Sequence, residues 1–169
     1  MKKRTLAALA LLAVLATALV WRLAAPRNAA GGALSCTYSI RCDTALLSGD
    51  LASQTRALLP DDGAILPAGE IAFTEGESVF DVLLRETRER GIPMEFSETP
   101  LYASVYVEGI GNLYEFDCGA LSGWMYRVNG EFPNYGSSRC TLQSGDTVEW
   151  VYTCDLGADV GSETRELQK

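Results

Sequence analysis

Five cysteines and no histidine set the chemistry open to this 169-residue chain. Without histidine there is no Ser-His-Asp or Cys-His nucleophile pair, and no histidine-held zinc, copper or haem. Cys36, Cys42, Cys118, Cys140 and Cys154 are spaced by 6, 76, 22 and 14 residues. That series contains no C-x-x-C and fits no zinc pattern, so no metal site is expected. Asp61 and Asp62 lie in a Pro-Asp-Asp-Gly turn and lack the spacing of a calcium loop. Glu108, Glu115, Asp117 and Glu131 could supply the carboxylate pair of a glycosidase. No spacing singles out two of them, so no catalytic residue is expected and the chain reads as non-enzymatic.

A second group could hold a ligand. Residues 123–140, "GWMYRVNGEFPNYGSSRC", concentrate aromatic, amide and glycine residues. Trp124, Tyr126 and Val128 alternate onto one strand face, and Met125 and Arg127 onto the other. Either Trp124 and Tyr126 fill a core, or their rings meet a ligand. The segment that follows, Phe132-Pro133-Asn134-Tyr135-Gly136, is not a clean strand, because Pro133 removes a ladder hydrogen bond. An exposed loop of that composition suits recognition of a flat macrocycle, a sugar or a peptide.

The chain's start decides how the cysteines read. Lys2, Lys3 and Arg4 precede sixteen uncharged residues, Leu6 to Trp21, closed by Arg22. Residues 1–27 therefore read as an export signal, either cleaved or retained as an N-terminal anchor with the remainder outside. Ala29-Ala30-Gly31 and Gly31-Gly32-Ala33 offer small residues for cleavage, and the apolar run is short for a membrane span. The protein is expected at the cell membrane as a single-pass chain, or secreted. Outside the cell thiols tend to pair, and five cysteines allow two bridges with one thiol left over. Past residue 27, nine basic side chains face 22 acidic ones, a net charge of −13. That charge repels nucleic acid and anionic surfaces.

The remaining elements must position these groups. Residues 28–34 read as a linker, 35–156 as one domain and 157–169 as a polar, acidic tail. Cys36, Tyr38, Ile40 and Cys42 alternate onto one face of a strand. A loop with at most one helical turn is expected over 43–57, and a strand over 69–74. Ser78 and Asp81 form a capping-box pair at the start of a helix that Gly91 closes and Pro93 forbids from resuming. Val79, Val82, Leu83 and Thr87 form its apolar stripe, leaving Arg85, Glu86, Arg88, Glu89 and Arg90 for water. Strands are expected over 94–96, 102–108, 112–117 and 147–154, with a hairpin over 123–131 turning at Asn129-Gly130. One main helix laid across a mixed sheet is a β-grasp-like α+β plan.

Four stretches carry a resemblance: "CTYSIRCD" (36–43), "EGESVFDVLLR" (75–85), "YVEGIGNLYEFDCGALSGWMYRVNGEFPNYG" (106–136) and "GDTVEWVYTCDLGADVG" (145–161). Together they resemble a bacterial family of unknown function that is similar to the C-terminal domain of transcobalamin and intrinsic factor. The resemblance implies a β-grasp fold, an extracytoplasmic place and a ligand-binding role. It makes a cobalamin or related corrinoid the candidate ligand, with no cofactor required. In those carriers a helical domain closes the other side of the ligand, and this chain has no room for one. The resemblance carries over Trp124, Tyr126 and the turn after Phe132, so that Trp124, Tyr126, Phe132, Asn134 and Tyr135 are the expected ligand contacts. It also suggests bridges of Cys118 with Cys140 and of Cys154 with Cys36 or Cys42. The alternative is a surface interaction module that binds a cell-surface protein or a cell-wall polymer.

Overall fold

The chain divides into two units, Met1–Gly32 and Ala33–Lys169. A computed structural model describes residues 33–99 and 104–162, all within the second unit. The expected signal or anchor segment, residues 1–27, lies outside them. Among the described residues no helix is long and apolar enough to cross a membrane.

The fold is mixed α+β with two sheets. Strands β1 (Leu34–Arg41), β2 (Ala64–Phe73), β6 (Gly123–Val128) and β7 (Thr147–Thr153) form the larger one, in the order β2-β1-β7-β6. Its centre is a parallel pair, with Tyr38 beside Val148 and Ile40 beside Trp150, and both neighbouring pairings are antiparallel. Strands β3 (Met94–Thr99), β4 (Ser104–Ile110) and β5 (Leu113–Tyr114) make a separate antiparallel sheet, so the single sheet of the β-grasp-like expectation becomes two. Helices α1 (Asp43–Leu47) and α2 (Ser53–Arg56) are short, and α3 (Val79–Arg90) is the main helix.

Strand parity sorts the larger sheet as its alternation requires. Cys36, Tyr38, Ile40, Val148, Trp150 and Tyr152 are buried on one face, with Trp124 and Tyr126 of β6. Helix α3 adds Val79, Phe80, Val82 and Leu83 to the same core. Tyr38 ties these parts together at full burial: its hydroxyl donates to the Val79 carbonyl (2.8 Å) and accepts from Trp150 Nε1 (2.7 Å).

The caps of α3 form as its sequence dictates. Ser78 Oγ accepts from the Asp81 amide and Asp81 Oδ2 accepts from the Ser78 amide, at 3.2 and 2.9 Å. Gly91 ends the helix at φ 66°, a left-handed turn that glycine adopts without strain. Glu86 corrects the expected water-facing set. It lies one heptad after Val79 on the buried stripe and is 5% exposed. Arg85 and Arg90 neutralise it from the rim, at 3.5 and 3.1 Å.

Several strand boundaries differ from the sequence reading, and three of them have a plain local reason. β2 begins at Ala64 rather than 69, because it is an edge strand where Pro67 forfeits no ladder bond. β5 stops after two residues, since Phe116 turns to φ 68° and Asp117 Oδ2 caps the Tyr114 amide at 2.9 Å. Asn129 and Gly130 do turn with positive φ, 53° and 84°, but the return arm is one bridge, Val128 with Glu131, before Pro133. Beyond β7 the described chain folds back. Asp159 accepts from the Thr153 hydroxyl (2.5 Å) and the Cys154 amide (2.7 Å), folding residues 157–162 back onto the end of β7.

None of the five cysteines is bridged, which corrects the suggested pairs. Cys140 sits by Tyr135, whose hydroxyl points at its sulfur (3.8 Å), and not by Cys118. Cys36 opens β1 while Cys154 follows the end of β7; these strands are parallel, with Thr37 beside Thr147, so the two lie at opposite ends of the sheet. Cys42 lies at the correct end but gives its thiol to the Gly63 carbonyl (3.5 Å).

Candidate ligand-binding groove

The face of the larger sheet away from the core carries the residues of opposite parity. Arg41 on β1, Arg127 on β6, and Glu149 and Val151 on β7 share it. Arg127 and Glu149 are directly opposite across the β6–β7 ladder and pair through two hydrogen bonds, Nε to Oε2 at 2.7 Å and Nη2 to Oε1 at 2.8 Å. The Glu149 carboxylate raises the pKa of the Arg127 guanidinium.

Arg41 makes the matching fork on Asp43 at the start of α1, with Nε 2.7 Å from Oδ2, and it also donates to the Asp62 carbonyl at 2.9 Å. The hydrogen bonding of Arg41 to Asp43 lowers the Asp43 carboxyl below its ordinary pKa. The folded-back segment contributes Asp159 and Val160 as the far wall. Together these residues, with Thr44 and Tyr152, line a groove of about 400 Å³.

The arrangement suits binding rather than charge capture. Each guanidinium already faces a carboxylate in two-point geometry, which fixes both planes. The groove therefore presents paired donors and acceptors with little net charge, beside the apolar Val151 and Val160. Amide and hydroxyl groups match such a lining. The Thr44 hydroxyl is committed to the Tyr152 carbonyl. Among the described residues no three His, Cys, Asp or Glu side chains are grouped to hold a metal. Of the four acids considered for catalysis none is buried, and Glu115 accepts from the Tyr106 hydroxyl at 2.5 Å.

The structure divides the five expected contacts. Trp124 and Tyr126 are each 8% exposed and lie in the core. Trp124 packs edge-on against Tyr152 (5.3 Å between centroids) and its Nε1 donates to the Leu113 carbonyl at 2.9 Å. Tyr126 lies against Trp150 and donates to the Tyr135 carbonyl at 2.8 Å. The Tyr126 hydroxyl thereby holds the loop from beneath. Asn134 and Tyr135 are exposed on that loop. Phe132 alone approaches the groove, its ring 6.0 Å from Arg127 Cζ. The groove residues Arg41, Asp43, Thr44, Glu149, Val151, Asp159 and Val160 escaped the sequence reading. Strand parity held a partial signal, since it places Arg127 and Glu149 off the core faces of their strands.

Fold and groove together define a small α+β domain with a mixed sheet that is open on one face. Residues 76–154 match the model of DUF4430, a domain of unknown function. Among solved structures, haptocorrin in complex with Cbi is similar at 14% identity and a TM-score of 0.53, covering 73% of this chain and 25% of haptocorrin. At that identity the likeness is one of fold, and it meets the expected resemblance to the vitamin B12 carriers at that level. A Ruminococcus gnavus protein for which metal binding has been suggested is similar at 15% identity and a TM-score of 0.45, covering 71% of this chain and 96% of that one. A search of curated proteins finds no match.

Proposed function

We propose that residues 33–162 form a binding module whose ligand lies in the groove between Arg41 and Arg127, and that it binds without performing chemistry. The carrying observation is the groove itself, about 400 Å³ with two guanidinium–carboxylate forks already in place. That volume falls within the range of small-molecule sites, roughly 300–1,000 Å³. It holds an edge or a side chain of a macrocycle rather than the whole. A corrinoid laid against this face, its amide side chains reaching into the groove, is the first candidate ligand. The fold likeness to haptocorrin, and the complex it forms with Cbi, support that choice. An extracytoplasmic location, membrane-attached or secreted, follows from the basic and apolar start of the chain.

The test is calorimetric titration of the purified protein with a panel of corrinoids and cell-wall fragments. Saturable corrinoid binding, weakened at least tenfold in Arg127→Ala and unchanged in Tyr135→Ala, is expected. The Arg127–Glu149 pair is partly exposed, so its loss lowers stability by only about 1 kcal/mol or less and leaves the fold intact for the comparison. Silence across the panel sinks the reading.

A second reading, an interaction module for a protein or polymer, draws on the apolar residues Phe116, Leu121 and Leu156. They are 61%, 47% and 66% exposed on neighbouring turns. Capture of a cell-surface protein that is lost in Phe116→Ser, together with silence towards the panel, favours it.

A further inference from the structure

We propose that Cys118 and Cys154 are a disulfide-forming pair, an oxidisable site that fastens the 115–122 loop to the end of β7. The backbone places them. The loop closes on itself through the Phe116 amide to the Ser122 carbonyl (3.1 Å) and the Cys118 amide to Ser122 Oγ (3.1 Å). It is held to β7 on both sides of Cys154. On one side, the Tyr152 hydroxyl lies 2.7 Å from the Tyr114 carbonyl and 3.0 Å from Ser122 Oγ. On the other, the Leu156 amide donates to the Leu121 carbonyl at 2.9 Å. Between these ties Cys118 and Cys154 come beside one another: burial first, and then the neighbouring Cys118 thiol, push the Cys154 thiol above its ordinary pKa.

The other thiols are disposed differently. Cys42 is fully buried with its thiol on Gly63, Cys140 lies under Tyr135, and Cys36 is at the far end of β1. Cys154 alone of the five is partly exposed, so a reagent in solution meets it first.

The reaction is thiol–disulfide exchange with a small disulfide such as oxidised glutathione. The Cys154 thiolate attacks one sulfur of the reagent, breaking its S–S bond, forming a mixed disulfide and releasing one thiolate. The Cys118 thiolate then attacks the Cys154 sulfur and expels the second. Both cysteines are oxidised, by two electrons in all, and the reagent is reduced to two thiols that take up the two protons. The bridge spans the turns that carry Phe116 and Leu156, both bulky residues at positive φ (68° and 46°). Such backbone is held only where its surroundings over-determine it, and a covalent tie adds to that hold.

The full chain is prepared reduced, treated with oxidised glutathione, alkylated and mapped by mass spectrometry. The expected product is a Cys118–Cys154 cross-link, with Cys36, Cys42 and Cys140 alkylated only after denaturation. Oxidation is expected to raise the melting temperature by roughly 5–15 °C in the wild type and in Cys140→Ser. Cys118→Ser and Cys154→Ser are expected to show no such rise. Recovery of Cys118 and Cys154 as free thiols after oxidation, or a cross-link from either to Cys42 or Cys140, overturns the proposal. The mapping is read on the wild-type protein, so poor folding of a variant does not decide the outcome.

Discussion

Replacing Tyr38 with Phe probes the contact that joins the two central strands to α3. The substitution keeps the ring and removes one oxygen. That oxygen accepts from Trp150 Nε1 at 2.7 Å and donates to the Val79 carbonyl at 2.8 Å, and Tyr38 is fully buried. A buried hydrogen bond contributes about 1 kcal/mol net, and an indole N–H left buried without a partner costs about 1–3 kcal/mol. Tyr38→Phe should therefore destabilise the domain by roughly 2–4 kcal/mol. Trp150→Phe on its own carries an additional packing loss. In the double variant no donor is orphaned, so its loss should fall short of the sum of the singles by about 1–3 kcal/mol. The assay is urea unfolding under reducing conditions, followed by circular dichroism so that the loss of Trp150 does not alter the probe. A Tyr38→Phe loss below about 0.5 kcal/mol, or strict additivity, refutes the reasoning.

Two further predictions rest on single features. Ser78→Ala removes the side-chain acceptor of the capping box and should lower stability by about 1 kcal/mol in the same assay, whereas Ser78→Asp should retain most of it. Alkaline pH should destabilise the reduced protein, because burial pushes the Cys36 and Cys42 thiols from 9.0 up to about 11. Below about pH 9 both folded and unfolded chains hold these protons and nothing is lost. Between about 9 and 11 the unfolded chain ionises while the folded one does not, so stability falls by up to roughly 2–3 kcal/mol per thiol. Urea midpoints at about pH 8 and pH 10.5 check this, and a flat profile contradicts it.

Sequence and tertiary structure divided the work by distance along the chain. Much that is set within a few residues was legible from sequence: the Ser78–Asp81 cap, the Gly91 stop, the Asn129-Gly130 turn, and the parity of Cys36, Tyr38 and Ile40 on β1 and of Val148, Trp150 and Tyr152 on β7; the turn at Phe116 that ends β5 was local too and was missed. These depend on local hydrogen bonds, allowed φ and a period of two or 3.6 residues. The likeness to a family of unknown function was legible too, because long continuous stretches carry it. Glu86 misled because a carboxylate reads as solvent-facing until its partners are known; Arg85 and Arg90 could be seen in sequence, but their reach over the buried stripe could not. For Trp124 and Tyr126 the strand pattern allowed core or ligand, and the resemblance named them as ligand contacts. Only the arrival of Leu113, Trp150 and Tyr152 against them, from 11 to 28 positions away, placed them inside. Beyond the parity of Arg127 and Glu149, the groove was decided by tertiary structure. Its walls come from β1, α1, β6, β7 and the turn at Asp159, and they meet because β1 pairs in parallel with a strand more than a hundred residues later. No local pattern encodes that pairing, since its energy comes from burying both strands' apolar faces against one helix.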